Sequence, residues 1–210
     1  NSIDERLLAT SEGRRALTEM DPLAMSLIYF PHHLRSPQTN NKITFADLHV
    51  FFIEYGKTWA IAPTKPRERR DLIIAPRESA KSTWCFILRP IWSAAHLHDQ
   101  FIAAFSDSGG QAQMHLASFK RELDTNELLR YDFPELCAPA KRGTGVTEDD
   151  SKKLYKAQSG FVFAAGGVDT GVLGLKAGHV RPTRLLLDDI EPGESQYSVY
   201  QCGQRLTTVT

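Results

Sequence analysis

Apolar residues in the first part of the chain recur at loose helical spacing: Leu7, Leu8, Ala16, Leu17, Met20, Leu23, Met25 and Ile28. This period predicts short amphipathic helices. Asp21-Pro22 reads as a helix start, with proline at the first helical position, and Pro31-His32-His33 as its stop. Ser36-Pro37-Gln38-Thr39-Asn40-Asn41 is a polar loop. A further helix is expected from Thr44-Phe45-Ala46-Asp47 to Gly56, with Phe45, Leu48, Phe51, Phe52 and Tyr55 on one face. After the basic stretch Lys65-Pro66-Arg67-Glu68-Arg69-Arg70 the pattern changes. Asp71-Leu72-Ile73-Ile74-Ala75 and Gln100 to Phe105 are short apolar runs that predict buried strands, as is Arg184 to Asp188. Between them, Lys81 to His96 and Gln111 to Glu127 carry helical spacing, and Leu154–Ala157 with Phe161–Ala165 suggest a hairpin around Ser159-Gly160. Strand and helix alternate, which indicates an α/β domain with a largely parallel sheet and right-handed crossovers.

Composition is ordinary for a globular chain: 41% apolar and 24% charged over 210 residues. At roughly 150 residues per domain this is one large domain, or one with an appendage. It excludes a disordered tail, a collagen-like repeat and a disulfide-stapled miniprotein. The 25 basic and 25 acidic residues cancel, which argues against a chain that coats nucleic acid by bulk charge, though not against a local basic patch. Cys85, Cys137 and Cys202 are widely spaced and form no CxxC pair, so reduced thiols are expected rather than a zinc site. No apolar run approaches the ~20 residues that span a bilayer, and the acidic N-terminal stretch lacks the apolar core of a signal peptide. A soluble intracellular protein is expected, and its start at Asn1 suggests a trimmed chain.

Ala75-Pro76-Arg77-Glu78-Ser79-Ala80-Lys81-Ser82-Thr83 follows a predicted strand and opens a predicted helix. That is the setting of a phosphate-binding P-loop, GxxxxGK[ST], in which backbone N–H groups and the helix N-terminus receive phosphate. Lys81 and Ser82 match, while Ala75 and Ala80 replace the glycines. Glycine serves there because the loop wraps closely and often needs positive φ, so alanine is a mild but real departure. Leu185-Leu186-Leu187-Asp188-Asp189-Ile190-Glu191 is an apolar strand ending in acids, the form of a Walker B motif. Such a strand delivers one carboxylate to hold Mg²⁺ and a neighbour to take a proton from attacking water. Each motif alone fits a bland alternative, a solvated helix start or an acidic turn. The two in order are harder to explain that way. Ser106, at the end of its strand, is left open as a residue near the γ-phosphate, and Asp107 or Ser108 is expected to cap the helix near Gln111. The glycine-rich stretch Gly166 to Lys176 reads as a mobile ligand-facing loop or a flexible connector.

Together these residues resemble the ATPase domain of the tailed-bacteriophage terminase large subunit, the DNA-packaging motor. The likeness rests on Pro76 to Thr83, of the form PRExAKST, on Leu173-Gly174-Leu175-Lys176, and on Arg181-Pro182-Thr183-Arg184 running into the acids at 188 to 191. Lys176 stands where the family usually has arginine. The resemblance, over residues 28 to 200, implies a three-layer α/β P-loop NTPase fold of ASCE, RecA-like type, with a mostly parallel central sheet and flanking helices. It implies an N-terminal helical region over 1–60 packed on an ATPase core over 61–210. It implies ATP and Mg²⁺ as cofactors, bound by the loop Pro76, Arg77, Glu78, Ser79, Ala80, Lys81, Ser82 and Thr83. Lys81 would contact the β/γ-phosphates, Ser82 and Asp188 the metal, and Thr83 the α-phosphate side. Asp189 or Glu191 would activate water. Arg77 would either neutralise charge near the γ-phosphate or pair with Glu78 at the surface.

The implied partners are double-stranded viral DNA, the portal protein, the small terminase subunit and further copies of the chain in a ring, in host cytoplasm. Arg67, Arg69, Arg70, Lys141, Arg142, Lys152, Lys153 and Lys156 are candidate phosphate contacts, or simply a solvated face. The family's metal-dependent nuclease domain is not expected within these residues. The alternatives are another ASCE-type DNA-dependent ATPase, helicase- or partition-like, and a degenerate P-loop serving only binding or assembly.

Overall fold

The computed structural model describes residues 5–36, 39–61, 69–148, 150–168, 175–190 and 200. In chain order the elements are α1 (Glu5–Ala9), α2 (Ser11–Glu19), α3 (Pro22–Tyr29), α4 (Pro31–Leu34), α5 (Asp47–Lys57) and α6 (Arg89–Ala95), then β1 (Phe101–Ser106), α7 (Gly109–Thr125), α8 (Glu127–Asp132), α9 (Pro134–Cys137), β2 (Leu154–Lys156), β3 (Val162–Gly167) and β4 (Arg184–Asp188). They fall into two compact units: residues 1–98 with 126–133, and residues 99–125 with 134–210. The architecture is mixed α/β, with an open four-stranded, mostly parallel sheet and flanking helices.

The first unit is helical. Asp21 caps α3, its carboxylate accepting the Leu23 N–H at 2.9 Å, with Pro22 at the first helical position. Pro31-His32-His33 does not merely stop α3 but forms the short helix α4. In α5 the buried face is Phe52, Ile53 and Gly56, whereas Phe51 is 47% exposed. The sequence pattern groups Phe51 with Phe52, although adjacent residues on a helix point about 100° apart. The core gathers Met25, Phe30, Phe52, Trp84, Ile91, Trp92 and Phe133, each at most 2% exposed. A buried polar triad ties α2, α3 and α8 together: Arg14 Nε donates to Asp132 at 2.7 Å, and the Tyr29 hydroxyl donates to the same carboxylate at 2.6 Å. Burial pulls the Asp132 carboxyl upward, but hydrogen bonds from Arg14, Tyr29 and Ser11 outweigh it and hold it below its ordinary range.

The segment Asp71–Ala75 departs from expectation. It lies outside any strand, and Leu72 and Ile74 are 86% and 85% exposed. β-branched apolar residues favour a strand only where a neighbour supplies the ladder, and none pairs with this segment among the described residues. It is held at its start, where the Tyr55 hydroxyl donates to Asp71 at 2.7 Å.

In the second unit the strand order is β2-β3-β1-β4. β1 pairs in parallel with β3 and β4, and β2 pairs antiparallel with β3 as the expected hairpin. Every residue of β1 is buried. One sheet face carries Phe101, Ala103, Phe105, Val162, Ala164 and Val168, packed with Leu175, Val180 and Ile190. The other receives α7, whose Phe119 ring meets Phe163 edge-on with centroids 4.8 Å apart. Small residues at Ala104 and Ala165 on that face give the helix room. β4 was expected to be buried throughout. Instead Leu185 and Leu187 are 45% and 39% exposed, and β4 is an edge strand with β1 as its one partner among the described residues. Its start is fixed by Arg184 Nε, which donates to buried Asp99 at 2.6 Å.

Candidate functional site

The phosphate-loop candidate lies in the first unit. Chain 71–76 is irregular, Arg77 and Glu78 form a turn, and a helical run begins at Lys81. Glu78 and Ala80 have φ of 62° and 55°. Left-handed backbone costs a non-glycine residue roughly 1–2 kcal/mol, and Ala80 takes it at the position where the P-loop pattern has glycine. The Ala80 carbonyl accepts the Trp84 N–H at 3.0 Å, closing the first helical turn. Lys81 and Thr83 are half-buried, and Ser82, Pro76, Arg77 and Glu78 are exposed. Arg77 makes no ion pair with Glu78 among the described residues, so the surface-pair alternative for this arginine is not what the structure contains.

From Thr83 to Leu88 the helix is wider than α, with the Arg89 N–H reaching back to the Trp84 carbonyl. Such π segments are rare and concentrate at functional sites. Arg89 explains how this one is held. Its guanidinium is buried, donates to the Trp84 carbonyl and to Cys85 Sγ, and lies 5.1–5.4 Å from the ring centres of Phe52, Tyr55 and Trp59. The helix behind the loop is thereby clamped to α5 and the turn Thr58–Ala60 that follows it. A second tie comes from His49, whose Nε2 is 3.2 Å from the Ser79 carbonyl oxygen.

The acidic candidate lies in the second unit, at the C-terminal edge of the sheet. Asp188 is 7% exposed and stands beside Ser106 in the β1–β4 register, so both side chains point to the face that α7 covers. His115, on the second turn of α7, meets Asp188: Nε2 to Oδ2 is 2.9 Å. Ser106 is fully buried, and its hydroxyl has no hydrogen-bond partner among the described residues. Asp189 is exposed, with φ of 49°, and its carbonyl accepts the Asp107 N–H. The chain therefore turns sharply straight after Asp188. Ser108 Oγ accepts the Gln111 N–H at 3.2 Å, the capping role expected for it. Glu191 lies outside the described residues, as do Arg67 and the glycine-rich stretch 169–174.

Among the candidate phosphate contacts, Lys156 pairs with Glu148 at 2.9 Å. Sequence reasoning missed His49, Arg89 and His115. Each acts across a long stretch of chain, and nothing in its local pattern marks it.

Comparison of the chain with protein-family models, with curated proteins and with solved structures returned no match. No helix among the described residues is long and apolar enough to cross a membrane.

Proposed function

We propose that this chain is a Mg²⁺-dependent ATPase domain of the DNA-packaging, terminase large-subunit kind, with a three-layer P-loop NTPase fold. The observation that carries the reading is the conformation of the loop. Glu78 and Ala80 adopt left-handed backbone directly before a helix that opens with Lys81-Ser82. Strain of this kind persists where the surroundings over-determine it, and it clusters at ligand-binding sites. Alternating backbone of this sort turns successive N–H groups into a concave anion receptor.

Lys81 would supply a point charge for β/γ-phosphate oxygens, and Ser82 in the first unit and Asp188 in the second each offer a hard oxygen donor of the kind Mg²⁺ takes. When bound, Mg²⁺ would offset charge on the phosphates. Arg77, exposed and without an ion-pair partner among the described residues, would do the same at the γ-phosphate. Asp189 or Glu191 would accept the proton of the attacking water. In this reading hydrolysis drives double-stranded viral DNA into a procapsid in the host cytoplasm, with the portal protein, the small subunit and other copies of the chain as partners.

The test is ATP hydrolysis by wild type, Lys81→Ala and Asp189→Asn. The reading expects Lys81→Ala to lose activity, and equal rates in all three overturn it. DNA binding should weaken steeply as salt rises, since phosphate contacts release counterions; a salt-independent affinity overturns the motor assignment.

A further inference from the structure

His49 Nδ1 accepts the Ala46 N–H at 3.1 Å, while Nε2 lies 3.2 Å from the Ser79 carbonyl oxygen. These partners fix the proton. An amide N–H can only donate, so Nδ1 is bare; a carbonyl can only accept, so Nε2 carries the hydrogen and donates it. The ring also stacks on Trp84, with centroids 6.5 Å apart and planes 28° from parallel. Trp84 is 2% exposed and belongs to the first turn after the loop. The imidazole is thus fixed on both sides, by the start of α5 and by the helix it helps to position.

Ser79 sits between the left-handed residues Glu78 and Ala80. Its hydroxyl is buried without a hydrogen-bond partner among the described residues, so the anchored group of this residue is its carbonyl. A carbonyl's direction sets the whole peptide plane. The Ser79–Ala80 peptide is trans, so the Ala80 N–H points opposite to the C=O that His49 holds. Swinging that plane would both break the His49 bond and reverse the N–H at the consensus-glycine position.

We infer that His49 is a positioning residue for phosphate binding: through the Ser79 carbonyl it keeps the Ala80 N–H turned toward the β-phosphate of a nucleoside triphosphate. This inference rests on the phosphate-loop reading above. The strain at Glu78 and Ala80 supplies the need for such a brace, because unsupported left-handed residues relax.

The test is binding of a fluorescent, non-hydrolysable ATP analogue with Mg²⁺, alongside thermal melts, for wild type, His49→Phe, His49→Gln and Lys81→Ala. Phenylalanine keeps a ring against Trp84 but cannot donate; glutamine restores an amide donor. His49→Phe should weaken binding about tenfold, the scale of one hydrogen bond, and should lower the melting temperature only by the loss of the Ala46 N–H cap that Nδ1 supplies. His49→Gln should recover to within about threefold of wild type. The inference is overturned if His49→Phe binds as wild type, or if His49→Gln regains the melting temperature without regaining affinity. If Lys81→Ala binds as wild type, the phosphate-loop reading itself fails and takes this inference with it. If Lys81→Ala loses binding and His49→Phe does not, only the role of His49 falls.

Discussion

His115 Nε2 lies 2.9 Å from Oδ2 of Asp188, so α7 orients the carboxylate at the end of β4. A carboxylate held from behind keeps one rotamer and presents its remaining lone pairs in a fixed direction. Hydrogen-bonded partners of this kind typically change metal affinity or activity by about 10–100-fold when removed. If Asp188 holds the metal as proposed, Mn²⁺ binding, followed by electron paramagnetic resonance, should weaken about tenfold in His115→Ala and disappear in Asp188→Asn. Unchanged affinity in His115→Ala would show that the pair does not orient a ligand.

Ala80→Gly should be tolerated or stabilising. Glycine adopts φ of 55° without a Cβ penalty, which returns roughly 1 kcal/mol against the entropy glycine adds to the unfolded chain. Ala80→Val should destabilise, because branching at Cβ worsens the same clash. Chemical denaturation of both variants measures this, and a less stable Ala80→Gly would contradict the strain argument.

Asp132 is the buried anion of the first unit, with its side chain 0% exposed and that of Arg14 11% exposed. Asp132→Ala strands Arg14 and the Tyr29 hydroxyl, and should cost about 3–5 kcal/mol. The pH dependence follows from the depressed carboxyl. The folded value lies below the unfolded one, so its contribution is full above about pH 4 and is lost as pH falls through the lower folded value. Urea titrations across that range should show wild type losing stability that Asp132→Ala never had.

His96 predicts a separate effect at milder acidity. Burial first, then the charges of His98 and Arg15, lower it from 6.5 to about 4. Its neutral ring bonds the Thr18 hydroxyl at 3.0 Å and meets Phe133 edge-on. The unfolded chain therefore binds the extra proton first, and stability falls as pH drops from about 6.5 toward 4. His96→Phe keeps an aromatic contact and removes the titration. Its melting temperature should change less than that of wild type over this interval, and an equal change would acquit His96.

The parts of the fold that could be read from sequence were those where a local signal has one outcome. β1, β4 and the β2–β3 hairpin follow from short apolar runs bounded by turns, and α3 from Asp21-Pro22. The same signal misled at Asp71–Ala75, because an apolar run cannot state whether a partner lies beside it. At the loop, alanine at 80 reads as a departure from the glycine pattern, but its left-handed backbone is a property of the folded chain. His49 and His115 were beyond reach for a different reason. Their partners lie 30 and 73 positions away, and only tertiary packing brings imidazole to Ser79 or to Asp188.

The β1–α7 turn rests directly on backbone. A Cβ built at Gly167 would lie 2.9 Å from the Gly109 nitrogen, whereas one at Gly110 would meet nothing within 4 Å. The two glycines that open α7 are thus unequal to the one that closes β3. In a library of single substitutions, position 110 should accept small side chains freely, while position 167 should return glycine alone. Even alanine there would lift the turn off the sheet and move the start of the helix that carries His115.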